Sequence, residues 1–156
     1  MSSSQNKIFL GSDHAGFEMK EVLLQEIKKT FSELEVEDLG CHDKTSVHYP
    51  DYAKKVAEKV SKEGGRGILV CGSGIGVAIA ANKVAKIRAA TVWDATSARL
   101  SKEHNDSNII CLGARLVGPE VAIEAVKTWI RTKFLEGRHS DRVALIRQME
   151  NPKEPK

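Results

Sequence analysis

Aromatic residues make up only 5% of the 156-residue chain. Its core must therefore be built from Val, Ile, Leu and Ala, which suits aliphatic layers packed on a sheet better than an aromatic-rich sandwich. Cysteine is also scarce: Cys41, Cys71 and Cys111 are the three, and no two form a C-x-x-C pair. That argues against a structural zinc site, and an odd count without a secretory leader predicts reduced thiols in the cytoplasm. No apolar run approaches the ~20 residues that cross a bilayer, and MSSSQNK lacks the apolar stretch of a signal peptide. Neither sign of charge dominates, since 24 Lys plus Arg against 21 Asp plus Glu leave a net +3. A nucleic-acid-binding domain would carry a clustered basic stripe. The balance leaves room for one local basic pocket that binds a small anion.

Hydrophobic residues at 41% and charged residues at 29% suit a soluble globular chain. The length suits one domain that buries roughly two thirds of its unfolded surface. We read 7–150 as that domain, with 1–6 (Ser-rich) and 151–156 (two prolines) as flexible tails.

Between the tails, short apolar runs alternate with helical periodicity. The pattern predicts strands at Lys7–Ser12, Glu35–Leu39, Gly67–Cys71, Arg88–Val92 and Asn108–Leu112. Helices are predicted at Phe17–Thr30, Asp51–Lys62, Ile75–Lys86, Ala95–Glu103 and Pro119–Phe134, with an extra one at Ser140–Met149. Such alternation implies an α/β, doubly wound (Rossmann-like) five-stranded parallel sheet with helices on both faces and an added C-terminal helix. Ligands in such folds lie beyond the C-terminal ends of the strands, at a switch point.

Four constellations stand near turns. Cys71-Gly72-Ser73-Gly74-Ile75-Gly76 follows a strand and opens a helix. Its glycines let backbone N–H groups approach an anion, and the positive end of the helix dipole favours a thiolate. It is neither a Walker loop nor a complete dinucleotide fingerprint, because Val77 stands where a third Gly would. A tight turn with a buried Cys is the bland alternative. Asp13-His14 follows the first strand; the pair suits proton handling or sugar and phosphate contacts, or Asp13 merely caps a helix. His104-Asn105 could serve a sugar ring or be part of a polar loop. Arg138 and Arg142, four apart on one helix face and with Arg115 as a third, could bind a phosphate or form a solvated basic face. Tyr49 either reaches a ligand or packs; His42, His48 and His139 receive no role.

Together these motifs resemble a known family. GSDHAGF (Gly11–Phe17), HYPDYA (His48–Ala53), CGSGIGVAIAANK (Cys71–Lys83), HND (His104–Asp106), GARLVG (Gly113–Gly118) and GRHSDRV (Gly137–Val143) are similar, in order, to those of type B ribose-5-phosphate isomerases. Galactose-6-phosphate isomerase subunits are a sister group. The resemblance implies interconversion of ribose 5-phosphate and ribulose 5-phosphate in the pentose phosphate pathway, without metal or organic cofactor. It also implies a sheet of order 2-1-3-4-5 and a homodimer with active sites at the subunit interface, and leaves a dimer of dimers open.

By the same resemblance Cys71 is the base, assisted by Ser73; the loop's own backbone N–H groups at Gly72, Gly74 and Gly76 could supply oxyanion donors. His104 helps open the furanose, and Asp13 and Tyr49 touch the substrate. Asn105 binds hydroxyls, and His14, Arg138 and Arg142, with Arg115, hold the phosphate. One branch of the family uses a Glu base in the glycine loop; this chain has none there and carries the Cys. Ser73 stands where many relatives have Thr, which keeps the hydroxyl. The alternatives are a six-carbon sugar-phosphate isomerase (galactose- or allose-6-phosphate) and a non-enzymatic, nucleotide-binding flavodoxin-like module. No nucleic-acid or membrane partner is expected.

Overall fold

In a computed structural model, which describes residues 3–151, the strands are β1 (Lys7–Ser12), β2 (Glu35–Asp38), β3 (Arg66–Cys71), β4 (Ala89–Thr91) and β5 (Ile109–Gly113). The helices are α1 (Phe17–Thr30), α2 (Tyr49–Glu63), α3 (Ile75–Ala81), α4 (Ala95–Asn105), α5 (Pro119–Arg131) and α6 (Arg138–Gln148). All strand pairs are parallel. Residues 1, 2 and 152–156 of the expected tails lie outside the described residues. Ser3–Asn6, expected to be loose, is one turn of 3₁₀ helix.

The doubly wound class stands, but the strand order does not. The sheet runs β2-β1-β3-β5-β4, not 2-1-3-4-5. The reason is in the strands themselves. Every residue of β5 is buried, as a strand covered on both faces must be. β4 has three small, half-buried residues and pairs only with β5, so it is an edge. The chain therefore passes over the slot of β5, with α3 on one face, and returns through α4 on the other. A change of face is what two right-handed crossovers in opposite directions require.

Alternate residues sort the core into two layers, as the pleat dictates. Ile8, Leu10, Ile68, Val70, Ile110 and Leu112 face α1, α4 and α5, where Trp129 is fully buried. Phe9, Leu69, Cys71, Ile109 and Cys111 face α2 and α3. Helix α3 stops at Ala81, short of the expected Lys86. There the Asn82 amide takes over: its Nδ2 donates to the Ala89 carbonyl at 2.9 Å, and its Oδ1 accepts from the Ala89 N–H at 2.8 Å. α4 is longer than expected and carries His104 and Asn105 on its last turn.

The order makes β1 and β3 neighbours that feed connections in opposite directions. Their carboxyl ends form the switch-point crevice.

Candidate active site

Ser12 pairs with Val70, so the residue after β1, Asp13, sits beside Cys71 at the end of β3. Asp13 is buried, its N–H donates to the Val70 carbonyl at 3.3 Å, and its Oδ1 accepts from the Gly16 N–H at 3.0 Å. That oxygen closes the turn ahead of α1 and does not cap the helix, whose N-cap is Gly16. Gly16 is needed there, because a Cβ would stand 2.4 Å from the Val70 carbonyl oxygen. His14 Nδ1 accepts from the Val47 N–H at 3.1 Å. In the neutral ring that leaves the proton on Nε2, a donor suited to an anion.

The glycine loop is held from several sides. The Gly74 N–H donates to Cys71 Sγ at 3.1 Å, and Thr91 Oγ1 donates to the Gly74 carbonyl at 2.8 Å. Gly74 adopts φ +73°, and a Cβ there would lie 2.8 Å from the Leu112 carbonyl carbon. The Ala114 and Arg115 N–H groups donate to the carbonyls of Cys71 and Gly72 at 2.9 and 3.0 Å. The Arg115 guanidinium lies over Gly72, with Nη1 3.0 Å from where a Cβ would be. The Tyr49 ring covers Gly76 in the same manner, its hydroxyl 3.0 Å from the corresponding point. Ser73 Oγ accepts from the Ile75 N–H at 3.2 Å. Asp13, His14, Tyr49, Cys71, Ser73, the three glycines and Arg115 are therefore gathered at one end of the sheet.

The other predicted residues are elsewhere. The Asn105 carbonyl accepts from Arg88 Nε at 2.9 Å, and Arg88 immediately precedes β4. The Asn108 carbonyl accepts from the N–H of Gly67, near the start of β3. His104 and Asn105 thus lie at the amino ends of the strands. β3 spans five residue steps, so about 16 Å of strand separates that end from Cys71. Arg138 and Arg142, exposed on α6, accompany them. The imidazole of His139, on the same helix, stacks on that of His104 with centroids 4.4 Å apart and planes 11° from parallel. The predicted residues therefore fall into two groups at opposite ends of the sheet.

His139 was missed by the sequence reading. Its adjacency to Arg138 in GRHSDRV was the available signal, yet a helix-face argument cannot show a ring stack with α4. Burial holds its imidazole below the usual histidine range; His104, Arg138 and Arg142 push the same way, and Glu103 opposes them. Burial pushes the Cys111 thiol up, with Cys71 adding to the effect. Among the described residues no cluster of three or more His, Cys, Asp or Glu is placed to hold a metal ion. No helix among them is long and apolar enough to cross a membrane.

Residues 8–146 match the family model described as Ribose/Galactose Isomerase. The chain is 41% identical to ribose-5-phosphate isomerase B of Escherichia coli over 147 residues, 92% of this chain and 96% of that one. Its structure is similar to that of ribose-5-phosphate isomerase B from Clostridium thermocellum, with TM-score 0.89, 47% identity, and 92% of this chain and 97% of that chain covered. It is also similar to the Mycoplasma genitalium enzyme with bound ribulose-5-phosphate, with TM-score 0.88, 36% identity, and 94% and 97% covered.

Proposed function

The chain belongs to the ribose/galactose isomerase family, and from that premise we propose how its residues carry out the reaction. The protein is an isomerase that interconverts ribose 5-phosphate and ribulose 5-phosphate. The observation that carries the mechanism is the Gly74 N–H donating to Cys71 Sγ in the switch-point crevice. That bond stabilises negative charge on the sulfur, and a thiolate beside the sugar's C1–C2 edge is a proton-transfer base.

The open-chain aldose gives its C2 proton to Cys71. The C–H electron pair becomes the C1–C2 double bond of a cis-enediolate, and negative charge moves to O1. A proton passes from O2 to O1, and the Cys71 thiol returns its proton to C1, which yields the ketose with no net change in atoms. The Gly74 N–H is committed to the sulfur and the Ile75 N–H to Ser73 Oγ, so of the three expected oxyanion donors the N–H groups of Gly72 and Gly76 remain for the developing oxyanion, where one well-placed donor is worth roughly 3 kcal/mol. Ser73, Asp13 and Tyr49 orient the carbon chain. The His14 Nε2–H and the guanidinium of Arg115 lie on the same side as that loop and serve the phosphate, a remote handle whose binding orients the reacting carbons.

Ring opening comes first. His104 moves the proton from the anomeric hydroxyl to the ring oxygen while Asn105 holds a hydroxyl, and Arg138 and Arg142 add to the phosphate grip. These groups lie a strand length from Cys71 in their own chain, so one complete site takes its two halves from two copies. Apolar side chains are exposed near both halves. Ile75 and Ile79 on α3, Trp93 after β4 and Leu116 after β5 are exposed at the carboxyl end, and Leu145 and Ile146 on α6 and Met149 just after it are exposed as well. Two unlike patches that meet twice across a two-fold axis describe a homodimer. All three cysteines are unpaired, which suits the reducing cytoplasm.

The direct test incubates the protein with ribose 5-phosphate and, separately, with six-carbon aldose phosphates, and follows ketose formation. Ribulose 5-phosphate from the pentose is the expected result. Turnover of a hexose phosphate alone would move the chain to the sister activity, and no turnover of either would overturn the reading.

A further inference from the structure

The last turn of α4 is fastened to the sheet by one side chain. Arg88, just before β4, is largely buried and directs three donors at the end of the helix. Its Nε donates to the carbonyls of Asn105 at 2.9 Å and Asp106 at 3.2 Å, and its Nη2 donates to the Asp106 carbonyl at 2.8 Å and to Asp106 Oδ2 at 3.2 Å. These carbonyls belong to the C-terminal turn, where a helix leaves acceptors without partners and where its dipole favours a cation. Asp106 holds a left-handed conformation, φ +45°, uncommon for a residue with a side chain. Lys102 Nζ reaches its other oxygen, Oδ1, from one turn back.

The backbone of Arg88 is pinned as well. Its N–H donates to Asn108 Oδ1 at 2.8 Å, its carbonyl accepts from the Asn108 N–H at 3.2 Å, and Asn108 Nδ2 donates to the Lys86 carbonyl at 2.8 Å. Burial holds the guanidinium below its ordinary pKa, Asp106 opposes that, and the group stays charged in any physiological range.

We propose that Arg88 is a positioning residue for ring opening: its fork on the Asn105 and Asp106 carbonyls fixes the helix end that presents His104 and Asn105 to the sugar. The inference rests on the isomerase reading and on the ring-opening role of His104. Lysine in place of Arg88 keeps a positive charge and loses the planar fork, so the helix end keeps its electrostatic partner and loses its geometry.

The test compares wild type and Arg88→Lys on ribose 5-phosphate carrying hydrogen or deuterium at C2, with folding followed by circular dichroism. The expected result is a folded variant whose kcat falls by about tenfold or more, since small misplacements of positioned groups cost that much. Its primary isotope effect should lie at or below the wild-type value, because ring opening then limits turnover and the C2 proton step does not. A kcat within about threefold of wild type, less than the loss expected from misplacement, overturns the proposal. So does a fall in kcat with an isotope effect above that of wild type, or loss of the fold. Failure of the isomerase reading is separate and visible at once, because wild type itself would then leave ribose 5-phosphate unconverted.

Discussion

The Gly74 N–H points at Cys71 Sγ from 3.1 Å, in a loop where Gly74 cannot carry a side chain without meeting the end of β5. Donor and thiol are thus fixed by the same turn. If Cys71 is the base, Cys71→Ala should cost about 100- to 10,000-fold in kcat, the usual weight of a positioned proton-transfer group. KM should change little, because the phosphate contacts proposed above do not involve Cys71. A coupled ketose assay decides this, and a variant that keeps most of its kcat would remove Cys71 from the mechanism.

Gly74→Ala tests the donor. A Cβ would stand 2.8 Å from the Leu112 carbonyl carbon and 3.0 Å from the Gly113 nitrogen, and φ +73° is costly for alanine. The left-handed conformation alone costs about 1–2 kcal/mol, read as a lower melting temperature. At a temperature where the variant is fully folded, kcat should still fall by about tenfold or more as the N–H leaves the sulfur. Unchanged kcat in the folded variant would mean that the amide does not act on the reaction.

Much of this was legible beforehand. The alternation of Lys7–Ser12, Gly67–Cys71 and Asn108–Leu112 with amphipathic helices gave the class, because a period of two against one near 3.6 is written in the residues. The place of β5 was not read, although the unbroken apolar run IICL against the small residues AAT marks which of the two strands is central. The gathering of candidates at the carboxyl end follows from the switch-point rule, since Asp13 and Cys71 end adjacent strands. The placing of the other candidates resisted for a physical reason: His104 and Asn105 precede β5, so they fall at the amino edge, and local spacing does not show which end of the sheet a residue reaches. Arg88 and His139 make tertiary contacts that leave no periodic trace.

The His104–His139 stack makes stability sensitive to acid. An unfolded histidine titrates near 6.5, and His139 in the folded chain titrates lower, held down first by burial and then by His104, Arg138 and Arg142. Between those values the unfolded chain binds the extra proton, so His139 contributes stability above about pH 6.5 that is lost as pH falls through its folded pKa. Wild type should therefore lose more melting temperature from pH 7.5 to 5.0 than His139→Gln, which has no proton to take up. Equal losses would show that the ring is not held neutral by its neighbours.

The strand length between Cys71 and His104 has a consequence that mixing can expose. Cys71→Ala lacks one half-site and His104→Ala the other, so each alone should be nearly inactive. In a mixed dimer, one site pairs the two damaged halves. The other takes an intact Cys71 end from the His104→Ala copy and an intact His104 end from the Cys71→Ala copy. With free exchange at equal concentrations, half the dimers are mixed and each has one good site of two, so about a quarter of wild-type activity should return. Activity should appear at the rate of subunit exchange and be absent at the moment of mixing. If each chain instead completed its own site, every chain in the mixture would carry one defect, and no activity would return at any time.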